Sequence, residues 1–220
     1  YLHATGGTRL NDFRQQNEES PYWGVINQMR TSYTPADLQV GFKASPLPGL
    51  GFHLFGGYRV TKDEIFHLYP DITDTDFPYC YSLLMQEKAK VGYGGIKAAY
   101  GYKDIFDFSV GGTYYGWNVK DEAKVLLYLK PEFVLDASAR AKVYDEFWIS
   151  AVYRYEGRVK AGELEKADAI NNLSLSAGYE FFNSLNVFVR FNNLLNQDYI
   201  TEAGYPVQGF NAMAGVSFRF

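Results

Sequence analysis

Residues 173–181 read LSLSAGYEF, in which Leu173, Leu175, Ala177, Tyr179 and Phe181 alternate with Ser174, Ser176, Gly178 and Glu180. Successive side chains of an extended chain point to opposite faces, so strict alternation marks a strand with one apolar and one polar side. The stretch FNAMAGVSFRF (210–220) repeats the pattern, with Phe210, Ala212, Ala214, Val216, Phe218 and Phe220 set against Asn211, Met213, Gly215, Ser217 and Arg219. In a longer case, Leu127, Leu129, Phe133, Leu135, Ala137, Ala139, Ala141 and Val143 alternate with Tyr128, Lys130, Glu132, Asp136, Ser138, Arg140 and Lys142. The polar side of that segment carries both signs of charge, and the apolar side carries none.

Moving outward along the chain, the same rule holds at 38–45, 52–61, 106–115 and 147–156. It is noisier in the glycine-rich stretch 88–102 and weakest at 1–13, and no segment has a helical period. The connections alternate in length. Short turns fall at Pro46–Gly51, Lys103–Ile105, Tyr144–Glu146 and Asn183–Leu185. Longer polar connections fall at Arg14–Tyr33, Pro70–Gln86, Lys120–Lys124, Ala161–Asp168 and Thr201–Val207. The pattern predicts about ten antiparallel strands, with tight turns at one end and loops at the other.

Composition narrows the class. The chain has 220 residues, 21% of them charged with a net charge of −4, which excludes a basic nucleic-acid-binding surface as its main feature. A hydrophobic content of 47% is too high for a disordered polyelectrolyte. The single cysteine, Cys80, excludes an internal disulfide framework. Mean hydropathy is only −0.25, and no run approaches the ~20 apolar residues of a spanning helix. A barrel wall shows lipid only alternate residues, so modest hydropathy is compatible with a membrane. The sequence starts at Tyr1 without Met or a signal peptide, as a processed chain or a piece of a longer one would.

A soluble β-sandwich also alternates, its apolar face buried on a second sheet. The tyrosines point elsewhere. Tyr100, Tyr102 and Tyr144 lie near the turns, whereas Tyr58, Tyr114, Tyr153 and Tyr155 lie toward the loops. Two such bands flanking an apolar zone match the aromatic girdles of a membrane barrel. The fold expected is all-β, an antiparallel up-and-down transmembrane barrel filling 1–220.

The last two strands carry a resemblance. Asn193-Leu194-Leu195-Asn196-Gln197-Asp198-Tyr199, then Gly204-Tyr205-Pro206-Val207-Gln208-Gly209-Phe210, then a final strand ending on aromatic Phe220, resemble the closing strands of TonB-dependent outer-membrane receptors, particularly Bacteroidetes-like ones. Phe210 stands where that pattern usually has Arg. Such receptor barrels have about 22 strands. At ten strands per 220 residues a whole barrel needs on the order of 480 residues, so the chain reads as the C-terminal portion of a barrel without its plug. A complete ten-strand barrel is the other option. The resemblance implies uptake of a scarce ligand (metal chelate, cobalamin, glycan or peptide) across a Gram-negative outer membrane. It also implies contact with outer-membrane lipid and the barrel-assembly machinery, and energising by a TonB-type partner through a plug not in this chain. Tyr205, Phe218 and Phe220 would form the insertion signal. A passive porin is the alternative function, and a soluble sandwich binding protein a more distant one.

The polar face offers Arg59, Arg154, Glu156 and Arg158 near the loop end as ligand contacts, although a cross-strand salt-bridge ladder is the plainer use of such residues. Asp71, Asp74 and Asp76 place three carboxylates in one loop, a Ca²⁺-type oxygen set lacking the Gly and distal Glu of an EF-hand. A solvated acidic loop is the simpler reading. His67 near Asp63 and Glu64 echoes outer-membrane proteases, but the spacing is not diagnostic. No enzyme activity and no cofactor are expected.

Overall fold

The computed structural model describes residues 1–12, 14, 23–24, 29–68, 82–182, 184–202 and 205–219. Its strands are β1 (Leu2–Arg9), β2 (Trp23–Gly24), β3 (Ser32–Leu47), β4 (Leu50–Leu68), β5 (Ser82–Tyr102), β6 (Phe106–Asn118) and β7 (Pro131–Lys142). They continue as β8 (Phe147–Arg158), β9 (Ile170–Phe181), β10 (Leu185–Asn192), β11 (Ile200–Glu202), β12 (Tyr205–Pro206) and β13 (Asn211–Phe218). Ten of them form one antiparallel sheet in the order β1-β3-β4-β5-β6-β7-β8-β9-β10-β13. β2 adds a short parallel pairing to β5, and β11 with β12 makes a separate hairpin. Apart from that small hairpin and β2, each strand neighbours the next in sequence. Among the described residues β1 and β13 do not pair, so the sheet stays open.

The register shows why alternation was the right signal. Phe42, Leu54, Ile96, Gly112, Leu135 and Tyr155 lie side by side across six strands. One step along, Lys43, His53, Lys97, Gly111, Asp136 and Arg154 form the next row, on the other face. A slip of one residue in any pair would put a lysine among leucines, so the pattern fixes the register. Among the described residues no second sheet lies against the apolar face. Phe42 is 67% exposed, Leu54 57%, Ile96 55% and Val216 66%, which a soluble sandwich core would not permit. That face suits hydrocarbon.

The short connections are sharp. Leu47-Pro48-Gly49-Leu50 puts proline, with its φ preset, before Gly49 at φ +80°, the arrangement of a type II turn. A Cβ on Gly49 would collide with the carbonyl oxygen of Gly101, whose own amide donates to the Gly49 carbonyl at 2.9 Å. On the polar face, aromatic rings lie over glycines of the adjacent strand. Trp148 covers Gly178, where a Cβ would sit 2.6 Å from the ring, and Phe188 covers Gly215 in the same way. Rings seated over glycine lie against the wall and shield backbone that glycine leaves bare.

The clearest difference from the sequence reading is at 120–130. Leu127 and Leu129, read as lipid-facing strand residues, are 4% and 8% exposed. Of the expected loop Lys120–Lys124, Asp121 to Lys124 belong to a 3₁₀ helix, Asp121–Leu127, which Lys120 precedes, and β7 begins only at Pro131. The reason lies on another strand. β4 carries a bulge between Thr61 and Glu64, with Asp63 at φ +55°, so one extra residue reverses its phase and turns Phe66 onto the face of Ala89. The 3₁₀ helix then packs Ala123, Leu126 and Leu127 on Phe66 and Ala161 in a small core at the loop end. Each large side chain buried there contributes roughly 1.5–3 kcal/mol. Leu129, at φ +67°, ends the alternation.

Candidate functional site

The strand ends that flank the five long connections, 10–31, 69–81, 119–130, 159–169 and 193–210, lie at one end of the sheet, and those that flank the four short turns at the other. Beneath the long connections the polar face carries a chain of charges built by strand geometry. Asp136 of β7 lies opposite Arg154 of β8, and Glu156 and Arg158 follow on the same side of β8 at intervals of two. Arg154 donates to Asp136 at 3.0 Å and to Glu156 at 2.7 Å. Glu156 uses its other oxygen to accept from Arg158 at 2.6 Å.

The ladder changes character along its length. Asp136 and Arg154 are open to solvent, whereas Arg158 is 3% exposed. Arg158 also donates to the carbonyls of Leu129 and Ile200, the latter at 3.0 Å. It therefore ties β8 to the end of the 3₁₀ segment and to the β11–β12 hairpin. Arg59 stands apart on β4, across from Asp37 and Val91. Of the four residues read as ligand contacts, three form this ladder and Arg59 does not join it.

The Asn193–Tyr199 element, noticed only as a resemblance, braces the same region. Asn193 and Asn196 adopt φ +48° and +46°, which asparagine tolerates better than most residues. Buried Asn193 donates to the carbonyls of Gln197 and Gln208 and accepts from the Gln197 amide at 3.1 Å. Asn196 accepts from the Phe210 amide, and the Tyr199 hydroxyl accepts from Asn172 of β9. This knot holds the last long connection over β9 and presents Ile200 to Arg158.

Nearer the turns, Tyr1, Lys43, His53, Phe55 and Lys97 gather on the polar face. The Tyr1 hydroxyl bonds His53 at 2.9 Å, Lys43 lies over the Tyr1 ring and Lys97 over the Phe55 ring. In the connection after β6, Asp121 is held below its ordinary pKa by the hydrogen bond from Lys124. Glu87 of β5 accepts from the Lys88 amide at 2.9 Å and pairs with Lys120 at 3.4 Å.

Among the described residues no three His, Cys, Asp or Glu side chains gather as a metal would need. Asp71, Asp74 and Asp76 lie outside the described residues, as do Cys80 and Phe220. Tyr205 pairs with Glu202 through the backbone, and Phe218 ends β13 opposite Leu185, 64% exposed on the apolar side. The signals for the loop-end core and the buried anchor were weak in sequence, because both arise from a bulge and from contacts between distant loops.

A one-sided apolar wall, a charged opposite face and loops gathered at one end define a section of a transmembrane β-barrel. Solved structures agree. The copper transporter OprC matches all of the chain at TM-score 0.70 and 14% identity, the chain covering 38% of it. The pyoverdine receptor FpvA from Pseudomonas aeruginosa PAO1 matches all of the chain at 0.67 and 16%, with 33% of the receptor covered. The FrpB iron transporter from Neisseria meningitidis matches all of it at 0.65 and 14%, with 36% covered. The chain thus has the wall fold of TonB-dependent receptor barrels and spans about a third of the length of these structures. No protein-family model and no curated protein matches the chain.

Proposed function

We propose that the chain is part of the barrel of an outer-membrane receptor that takes up a scarce ligand with energy from a TonB-type partner. The observation that carries this reading is the split between faces. The same strands present Phe42, Leu54, Ile96 and Leu135 to one side and Lys43, Lys97, Asp136 and Arg154 to the other. The first face fits lipid and the second fits a polar lumen. The copper, iron and pyoverdine proteins sharing this fold favour a metal or metal chelate as cargo over cobalamin, glycan or peptide. Arg59 and the exposed Arg154 would meet the cargo or a plug. Glu156 and the buried Arg158 would hold the loops that capture it. Tyr205, Phe218 and Phe220 would be read by the assembly machinery, and Asp71, Asp74 and Asp76 would form a solvated rim or a Ca²⁺ site. The chain would do no bond-making chemistry.

The test uses the full-length gene product in the outer membrane of intact cells. Accumulation of radiolabelled ferric siderophores and copper should be saturable and should stop when a protonophore collapses the inner-membrane gradient. Unsaturable passage of small sugars, indifferent to the protonophore, would replace the receptor with a passive porin.

A further inference from the structure

From β3 to β10 the apolar face carries no charged residue between the turns and Val60. Level with Val60 and just above it, three lysines appear on that face together. Lys90 lies across from Val60 and Asn118, both at outward positions, and Lys88 follows two residues on along the same face of β5. Lys62 follows Val60 on β4, opposite Tyr33, and its ammonium lies 5.8 Å from the centre of the Tyr33 ring. Strand spacing sets the three Cα atoms about 5–8 Å apart. Tyr33 lies level with Lys62 and Tyr58 just below Val60 and Lys90, 43% and 45% exposed on the same face.

Among the described residues none of these ammonium groups has a carboxylate partner. Asp63 is engaged by Arg30 at 2.9 Å, and Glu87, on the other face, by Lys120. Glu132, which the Tyr114 hydroxyl reaches on the outer side, is engaged by Lys166. Three uncompensated charges thus sit at and just above an aromatic girdle, on the side facing the membrane rather than the lumen. Cations aimed at the cargo would be on the opposite face, where Lys43 and Lys97 are.

We propose that Lys62, Lys88 and Lys90 form a docking site for the phosphate groups of a phosphorylated glycolipid in the leaflet at the loop end. Its acyl chains would lie on Leu38, Val40 and Leu54, with Tyr33 and Tyr58 at the headgroup boundary. The occupant follows from charge and position. A diphosphorylated headgroup brings negative charge to the height of the lysines, and the uncharged wall directly beneath accommodates its chains. The proposal rests on the membrane-barrel reading but not on transport, and its assay measures no uptake.

The experiment is native mass spectrometry of the full-length protein, folded in detergent and checked by heat-modifiable gel migration. The probes are diphosphorylated lipid A, dephosphorylated lipid A and inorganic phosphate. The folded protein should retain diphosphorylated lipid A. Retention should fall about tenfold or more in the Lys62→Gln/Lys88→Gln/Lys90→Gln variant. It should survive in the corresponding triple arginine variant and in Lys43→Gln/Lys97→Gln. Equal retention by the triple glutamine variant, or equal binding of dephosphorylated lipid A, would overturn the site. Displacement by low inorganic phosphate would make it a free-anion site and overturn the lipid proposal. Should the glutamine variant not fold, salt decides on the native protein. Retention should drop at about 1 M NaCl, where exposed charges are screened, and indifference to salt would overturn the proposal.

Discussion

Replacing Arg158 by methionine tests how the loop end is held. The side chain is 3% exposed and donates to Glu156 and to the carbonyls of Leu129 and Ile200. Methionine fills similar space but supplies none of these donors. Removing one partner of a buried ion pair costs about 3–5 kcal/mol when the other is left alone. Here Glu156 keeps Arg154 at 2.7 Å, which offsets part of that loss. The native side chain also leaves its buried Nε without a partner, an unmet polar group that methionine removes. A net loss of about 3 kcal/mol remains, most of it from two orphaned carbonyls and a half-paired carboxylate. The loss is local. It should raise hydrogen exchange by about 150-fold, at 1.36 kcal/mol per decade. The amides to watch are Val159, bonded to the Lys130 carbonyl, and Val207, bonded to the Tyr199 carbonyl. Wall amides in the β9–β10 pairing of Ala177 with Val189 should be unchanged. Glu156→Gln combined with Arg158→Met should be milder than the two single effects added, because no buried charge is then stranded. Unchanged exchange at Val159 and Val207 in Arg158→Met would refute the anchoring role.

Other expectations follow from the same geometry. Ile96→Lys, in mid-belt and 55% exposed, should destabilise the folded barrel by about 2–4 kcal/mol in lipid, while Lys97→Ile on the opposite face should change it by less than about 1, as urea unfolding from vesicles would read. Equal effects would mean the outer face does not meet hydrocarbon. Gly49→Ala combines φ +80° with a collision at the Gly101 carbonyl and should lose about 2 kcal/mol or more, whereas Gly94→Ala meets only an ordinary 3.6 Å contact and should be nearly silent. Phe220→Ser should lower the yield of heat-modifiable folded barrel more than Arg219→Ser, and equal yields would remove Phe220 from the assembly signal.

The wall was legible in the residues because a two-sided strand must alternate. Leu173 to Phe181 and Phe210 to Phe218 carry their faces in the sequence, and turn chemistry at Pro48-Gly49 needs only local conformation. The candidate site was legible only in part. Asp136, Arg154 and Glu156 could be placed on one face by counting in twos, but nothing local distinguishes the open Arg154 from the buried Arg158.

What the sequence determined by itself is periodicity: strand faces, register, and the end at which loops gather. What the tertiary structure decided is where that periodicity breaks. One extra residue at Asp63 turns Phe66 inward, Phe66 gathers Leu126 and Leu127 into a helix instead of a strand, and Arg158 closes over Leu129 and Ile200. A bulge is a property of two paired strands, and a loop-end core is a property of segments far apart in the chain. Neither leaves a periodic trace, so the contacts had to be seen in three dimensions.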